Sequence, residues 1–345
     1  MQKKFELIKE SKEVFREGHE SITLYRIKAL TDIPKYNVLV GDVGGFVASE
    51  NNLSQNGSAW VADDAKIYGD ARVHGDTLLK GEARVYGNVL IKGDIIISDN
   101  SRIYGDACIK DSTRISGTCE VFGNARITGR TTLEGNVRVS GKAQVRDSLI
   151  KDSARIQESA LIIDSTISDC SVVCDESKVQ ESKLNGKAYV SGYAHVLHSE
   201  IFDDAVVSGR VVLNESTLRG DVKLVGCERL YNVPLISNAN VFSLLMKMYD
   251  ATDEDSITNI IGPTFVYFPN MLRYDADTGC ETEPIDVILS ENEKVTIAEF
   301  VEDACKKYGE AGRRKYEIMV ELAKEYFNAS GSKKSDGVKS VTSFF

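Results

Sequence analysis

Ala71-Arg72-Val73-His74-Gly75-Asp76 is one unit of a pattern that runs from residue 61 to residue 225. The aliphatic Val73 recurs every six residues as Leu79, Val85, Ile91, Ile97, Ile103, Ile109, Ile115, Val121, Ile127, Leu133, Val139 and Val145. Two positions before it a smaller residue is usual, as at Ala71, Thr77, Ala83, Ser101, Ala107, Thr113 and Ala125. Two positions after it usually comes Gly, then Asp or Asn. A short fixed period of this kind implies a parallel β-helix. Residues two apart share one face of a strand, so the small and aliphatic residues point inward and their neighbours outward. Gly-Asp and Gly-Asn supply the corners, because Gly takes backbone angles that other residues resist. Three six-residue sides make an 18-residue coil. Roughly 29 sides then give about ten coils, on the order of 45 Å of stacked strands.

After Val145 the aliphatic positions become Ile150, Ile156, Ile162, Ile167, Val173, Val179 and Leu184, with steps of five, six and six. The coil shortens to 17 residues and one corner loses a residue. That corner reads Asp147-Ser148, Asp164-Ser165, Glu181-Ser182, His198-Ser199 and Glu215-Ser216. A sandwich of hairpins also uses short strands and Gly turns, but it does not demand one corner recurring at a fixed interval.

Ala83-Arg84-Val85-Tyr86-Gly87-Asn88 and its copies resemble the hexapeptide-repeat, left-handed β-helix proteins. More narrowly, residues 23–76 resemble the YdcK-like proteins, which are classed with acyltransferases. The match runs through Leu24-Tyr25-Arg26-Ile27-Lys28-Ala29-Leu30-Thr31-Asp32, Gly44-Gly45-Phe46-Val47, Asn52-Leu53-Ser54-Gln55-Asn56-Gly57 and Trp60. The resemblance covers about residues 1–226 and leaves the last third unmatched. One departure matters: the usual acyltransferase hexad has a small residue directly after the aliphatic one, where this chain has Tyr, His, Lys or Ser. The resemblance implies a left-handed coil, a homotrimer, and, were the chain an enzyme, a His general base with acyl-CoA as co-substrate.

Composition narrows the function classes. With 345 residues the chain has room for two domains. A net charge of −10 disfavours a nucleic-acid binder driven by phosphate contacts. The charge is uneven: 13 Lys and Arg against 11 Asp and Glu in 61–146, 8 against 13 in 147–226, and 10 against 19 in 227–328. Seven cysteines, Cys108, Cys119, Cys170, Cys174, Cys227, Cys280 and Cys305, fall in no metal-binding spacing. No signal peptide or 18-residue apolar run occurs, so a cytoplasmic protein without a membrane partner is expected.

The expected fold is mainly β, a left-handed parallel β-helix with 18- then 17-residue coils, arranged as follows. Residues 1–40 form a β-hairpin cap over the open first edge. Residues 41–226 form the helix. Gly41-Asp42-Val43-Gly44-Gly45-Phe46 reads as a tight turn into the first coil, since it lacks the spacing and the Lys of a phosphate loop. Residues 227–328 form a small α+β domain with a helix over 238–249, strands at 265–268 and 285–289, a capping box Thr296-Ile297-Ala298-Glu299 opening a helix to about 307, and a last helix with Tyr316, Met319, Ala323 and Phe327 on one face. Residues 329–345 form a disordered tail ending in Phe344-Phe345.

Columns of side chains provide the candidate sites. At 18-residue spacing Tyr68, Tyr86, Tyr104 and Phe122 stack on one outer face, flanked by Lys66, Arg84, Arg102 and Arg138 with Glu120 between. Such a stripe suits a subunit interface first, a ladder that merely stabilises the sheet second, and a planar or sugar ligand third. His198 interrupts the acidic column of Asp147, Asp164, Glu181 and Glu215. The simpler reading is relief of repulsion; the sharper one is a general base. The Ser column sits inward, where hydroxyls bond the corner backbone rather than act as nucleophiles. His74 lies outward on a face continued by Lys92, Lys110, Thr128 and Arg146, and His195 lies outward beside Val212.

Three functions follow in order. The first is a non-catalytic scaffold or binding protein, self-associating as a homotrimer and meeting a protein partner through 227–328, with no cofactor or metal. The second is an acyl-CoA-dependent acyltransferase using His198 or His74. The third is an inhibitor whose acidic half mimics a polyanion such as DNA.

Overall fold

The computed structural model describes residues 3–17, 20–226, 229–231, 234–236, 240–242, 245–247, 259–261, 265–271, 285–290, 293–303, 305–306, 309–310, 313–314, 317 and 320–321. The chain divides into two compact units, Met1–Ala188 and Tyr189–Phe345.

The first unit is a parallel β-helix with three sheets. Sheet I begins with Val43–Val47 and Lys66–Ile67 and continues through Arg84–Val85, Arg102–Ile103, Glu120–Val121, Arg138–Val139 and Arg155–Ile156 to Val172–Val173. Sheet II runs from Arg72–Gly75 through Leu90–Gly93, Cys108–Asp111, Arg126–Thr128, Gln144–Arg146 and Leu161–Ile163 to Lys178–Gln180. Sheet III runs from Trp60–Val61 to Lys183–Leu184. Strand N–H groups donate to carbonyls one coil ahead, as Lys66 does to Ala83 and Tyr68 to Val85, at 2.9 and 3.1 Å. The first pairing, Phe46↔Lys66, spans 20 residues; partners are then 18 apart up to Gln144, which pairs back to Arg126, and 17 apart from Thr132↔Leu149 onward. The aliphatic column is sealed: Val73, Leu79, Val85, Ile91, Ile97 and Ile103 are all 0 % exposed.

The shortened corner has a chemical cause. In the 18-residue coils the inward position between sheets II and III holds Thr77, Ile95, Thr113 and Thr131, and each Thr hydroxyl donates to the carbonyl three residues back, as Thr131 does to Thr128 at 2.6 Å. In the 17-residue coils it holds Ser, which donates two residues back and also accepts from the next coil. Ser165 Oγ donates to Ile163 O at 2.6 Å and accepts from Ser182 N at 3.1 Å. The hydroxyls are therefore bonded to the corner backbone, as the pattern implied. Deleting one residue there leaves no buried donor without an acceptor at these serines.

The N-terminal end is capped. Phe5–Glu17 and Glu20–Ala29 form an antiparallel hairpin, paired from Phe5↔Ala29 to Glu17↔Glu20, while Gly18 and His19 lie outside the described residues. The second strand pairs antiparallel with Val43–Val47, which itself pairs parallel with Lys66–Ile67. The edge of sheet I is thus covered, as an exposed strand edge requires. Two side chains finish the cap where no earlier coil exists. Lys4 Nζ donates to the Ala59 carbonyl at 2.7 Å and the Gly57 carbonyl at 3.3 Å. The Asn52 amide donates to the Gly69 and Ala71 carbonyls at 3.0 and 2.9 Å.

The Gly-rich stretch differs from expectation. The turn is at Gly41, with φ +97°, and Gly44 and Gly45 lie within a strand. A Cβ at Gly44 would sit 2.4 Å from the Val61 carbonyl oxygen, and one at Gly45 2.6 Å from that of Ala65. These glycines allow close backbone approach, which a sequence reading confuses with a turn.

The second unit also winds. Val206–Gly209 pairs with Lys223–Gly226 and that strand with Asn240–Phe242; His195–Leu197 pairs with Val212–Asn214 and that strand with Arg229–Tyr231. Glu200–Ile201 pairs with Thr217–Arg219, and that strand with Pro234–Ile236. Coil-like pairing therefore reaches 242, beyond the last clear repeat at 226. The helix expected over 238–249 is corrected: its described residues are the strands Asn240–Phe242 and Leu245–Lys247. The open edge of Lys223–Gly226 offers hydrogen bonds to whatever follows it, and this tertiary demand outweighs a helical pattern of apolar residues. An antiparallel group follows, Phe265–Met271, Ile285–Ser290 and Glu293–Thr296, which includes both expected strands. The capping box forms: Glu299 N donates to Thr296 Oγ1 at 3.2 Å, and Thr296 N to Glu299 Oε2 at 2.7 Å. Residues 297–303 are helical. Tyr316, Met319, Ala323, Phe327 and the tail 329–345 lie outside the described residues. Among the described residues no helix is long and apolar enough to cross a membrane.

The cap carries a pH signature. Burial lowers the Lys4 amine to about 8 against an ordinary 10.5, with the Asp76 charge opposing. Between these values the unfolded chain binds more protons at this site than the folded one, so stability rises as pH climbs from about 8 to 10.5. Lys4→Met should lower stability by about 1–3 kcal/mol through two unpaired carbonyls. It should also remove that rise, as read from denaturation midpoints of the two proteins across the window.

Candidate functional site

The outer face of sheet I carries the aromatic column. Tyr68, Tyr86, Tyr104 and Phe122 each follow a strand and precede a corner glycine, Gly69, Gly87, Gly105 or Gly123, with φ between +65° and +80°. The corners stack so closely that a Cβ at Gly69 would meet Gly87 N at 3.0 Å. Held by this register, the rings lie nearly parallel: Tyr68–Tyr86 at 4.8 Å and 6°, Tyr86–Tyr104 at 5.1 Å and 6°, Tyr104–Phe122 at 4.9 Å and 2°. Phe15 of the hairpin closes the column at 5.5 Å from Tyr68, which is 2 % exposed. Tyr86, Tyr104 and Phe122 stay half-buried.

Beside the rings, the strands align Lys66, Arg84, Arg102, Glu120 and Arg138. Arg138 Nε lies 2.9 Å from Glu120 Oε2, and its guanidinium 5.8 Å from the Phe122 ring. Arg84 lies 5.1 Å from the Phe15 ring, and Lys66 4.6 Å from that of Phe46. Burial raises the Tyr104 phenol above its ordinary value, with Glu120 adding to the effect. The predicted interface residues Tyr68, Tyr86, Tyr104, Phe122, Arg84, Arg102 and Arg138 are thus gathered on one face. Each ring pair adds ~0.5–1.5 kcal/mol beyond area burial, so the column also steadies the sheet itself.

Sheet II carries a second organised face. One outward column reads Arg72, Leu90, Cys108, Arg126, Gln144 and Leu161; the other reads His74, Lys92, Lys110, Thr128, Arg146 and Ile163. A shallow groove of about 530 Å³ follows this face, with Lys110, Arg126 and Arg146 on its walls. His74 is half-buried at the first coil.

In the second unit, His198 is exposed at a corner with φ +45° and Glu215 at one with φ +49°. The shared property of the short-corner column is therefore a left-handed backbone, with Asp147, Asp164 and Glu181 at +50°, +47° and +47° in the first unit. The sequence reading saw the acids but not the backbone state that places them. Cys119 is buried and its thiol is pushed up to about 11, which suits packing rather than nucleophilic chemistry. Among the described residues no three His, Cys, Asp or Glu side chains group to hold a metal ion.

Sequence reasoning missed Phe15, because nothing local ties a hairpin residue to a column 53 residues away at Tyr68. It also missed the full run of cations on sheet II, although the three-coil spacing of Arg72 and Arg126 was there to be followed.

Comparison with known proteins adds one match. A family model described as Bactofilin, polymer-forming cytoskeletal, matches residues 59–161, less than a third of the chain. No curated protein sequence matches. The match supports a β-helix of the short-repeat class and does not extend to the YdcK-like proteins.

His198 gives a test of the corner role. A β-branched residue strains at positive φ where Asn does not. His198→Asn should hold stability within about 1 kcal/mol of the parent, while His198→Val should lose about 1–2 kcal/mol in chemical denaturation.

Proposed function

We propose that this chain is a non-catalytic β-helical scaffold that assembles with copies of itself. The observation that carries the reading is the match of residues 59–161 to a polymer-forming family, because those coils hold the whole aromatic column from Tyr68 to Phe122. A stacked column is rigid before contact, so docking costs little side-chain entropy. Tyr and Arg are the residues that most often dominate binding energy at interfaces. The finer form of the proposal is a homotrimer around the sheet I faces, with Tyr86, Tyr104, Arg84 and Arg102 at the contact. A protein partner then meets the region 227–328. No cofactor enters this reading.

Sedimentation velocity and negative-stain microscopy of the full chain across concentration test it. Particles larger than the monomer are expected, with a trimer as the smallest assembled species. Arg102→Glu should weaken that trimer at least tenfold in dissociation constant. A monomer at all concentrations would end the reading.

A further inference from the structure

Two charge patterns in the first unit complement each other. On sheet II, Arg72, Lys92, Lys110 and Arg126 are exposed, and none has an ion-pair partner among the described residues. Lys92 and Lys110 are direct neighbours in adjacent coils. Like charges so placed repel. The acids nearest this face are already engaged. Lys35 lies 2.7 Å from Asp94 and 3.5 Å from Asp76. Asp111 accepts from Gly129 N at 3.0 Å, and Asp106 from the Asn88 amide at 3.1 Å. Only Arg146 is partly matched, at 3.5 Å from Asp147.

The second pattern lies on later coils. From Gly69 to Gly141 the positive-φ corners are glycines except Asp99 and Asp111. From 147 to 181 every such corner is an acid: Asp147, Asp152, Glu158, Asp164, Asp169, Asp175 and Glu181. Gly suits this backbone best, Asn and Asp tolerate it, and Glu does so less readily. Four of these carboxylates also accept from a backbone N–H one coil away, Asp147 from Arg130, Asp152 from Asp169, Glu158 from Asp175 and Asp169 from Gly186, yet all seven remain exposed and keep the belt negative. The belt repels itself: the Asp175 carboxyl, through a hydrogen bond and its charge, holds Glu158 above the ordinary carboxylate range.

We propose that a second copy of this chain docks with the acidic corners that flank its sheet II, Asp147, Glu158, Asp164, Asp175 and Glu181, against the basic outer face of sheet II, shifted along the coil axis. Arg72, Lys92, Lys110 and Arg126 give one cation per coil, drawn from two adjacent outward columns, and the acidic corners repeat at the same pitch of about 4.8 Å, so successive coils of the two copies meet in register. The centres of the two patterns are nearly four coils apart in sequence, which sets a shift of roughly 18 Å. With the copies running in the same direction the shifted contact is heterologous and repeats into an open chain. It rests on the self-assembling scaffold reading and adds a contact that the sheet I trimer does not use.

The test uses two full-length variants, Lys92→Glu with Lys110→Glu, and Glu158→Lys with Asp164→Lys. Wild type should form particles of variable length that shorten as salt rises from 50 to 500 mM. Each variant alone should fall to the smallest assembled species. Mixed in equal amounts they should assemble again, because each altered patch now fits the other. Glu158→Gln with Asp164→Asn, which preserves the corner backbone, should shorten the particles without loss of folding by circular dichroism. Wild-type length in each single variant, or no recovery on mixing, overturns the docking while leaving self-assembly intact. A monomeric wild type overturns the scaffold reading itself. Loss of binding to anionic vesicles or a nucleic acid in Lys92→Glu with Lys110→Glu, at unchanged assembly, assigns the face to a polyanion and also overturns it.

Discussion

Each coil of this chain is held by the next through backbone hydrogen bonds that join a residue to one a full coil away, as Arg84 N does to Ser101 O and Arg102 N to Cys119 O. The bonds fix the register, and the register puts every eighteenth or seventeenth side chain in a column. Inward columns must then hold residues that fit both neighbours, which is why Ile, Val and Leu alternate with Ala, Ser and Thr and none is exposed. Corner columns must accept a left-handed backbone, which Gly and Asp do readily and which Glu and His198 also adopt here. Outward columns are free of the core and carry the chemistry.

That constraint shapes what function can look like. A side chain on an outer face is accompanied by its counterparts above and below, so recognition is presented as a stripe. The aromatic stripe is the most ordered example, with three nearly parallel ring pairs. The basic face of sheet II and the acidic corners are two more. Stripes of one pitch favour partners of the same pitch, and another copy of the chain is such a partner. At the first coil the constraint has no coil to lean on. The hairpin, Lys4 and Asn52 replace the missing bonds, so the first edge of sheet I is covered while the outer faces remain open.

Periodic features were legible in the sequence because a column repeats its signal many times. The six-residue spacing of Val73 and its copies located the core, and the five-residue step at Ile150 located the shorter corner. The Ser column and the stacked tyrosines followed from the same arithmetic. Features made by single residues were not legible. Nothing in the local pattern says that Lys4 reaches Ala59, that Phe15 closes a ring column, or that Gly44 makes room for a carbonyl rather than a turn. The helical spacing of Val241, Leu244, Leu245 and Met248 misled because the strand before it templates another strand. His198 was read by its charge, whereas its backbone angle defines its place.

The most direct measurement is an electron-spin distance between labels at Arg72 and Leu161, outward positions in one column of sheet II. Five coils separate them, so the account predicts a single narrow distribution whose backbone component is roughly 24 Å. A broad distribution, or a mean well beyond that after allowing for the label arms, would contradict coil-on-coil stacking and every column built on it.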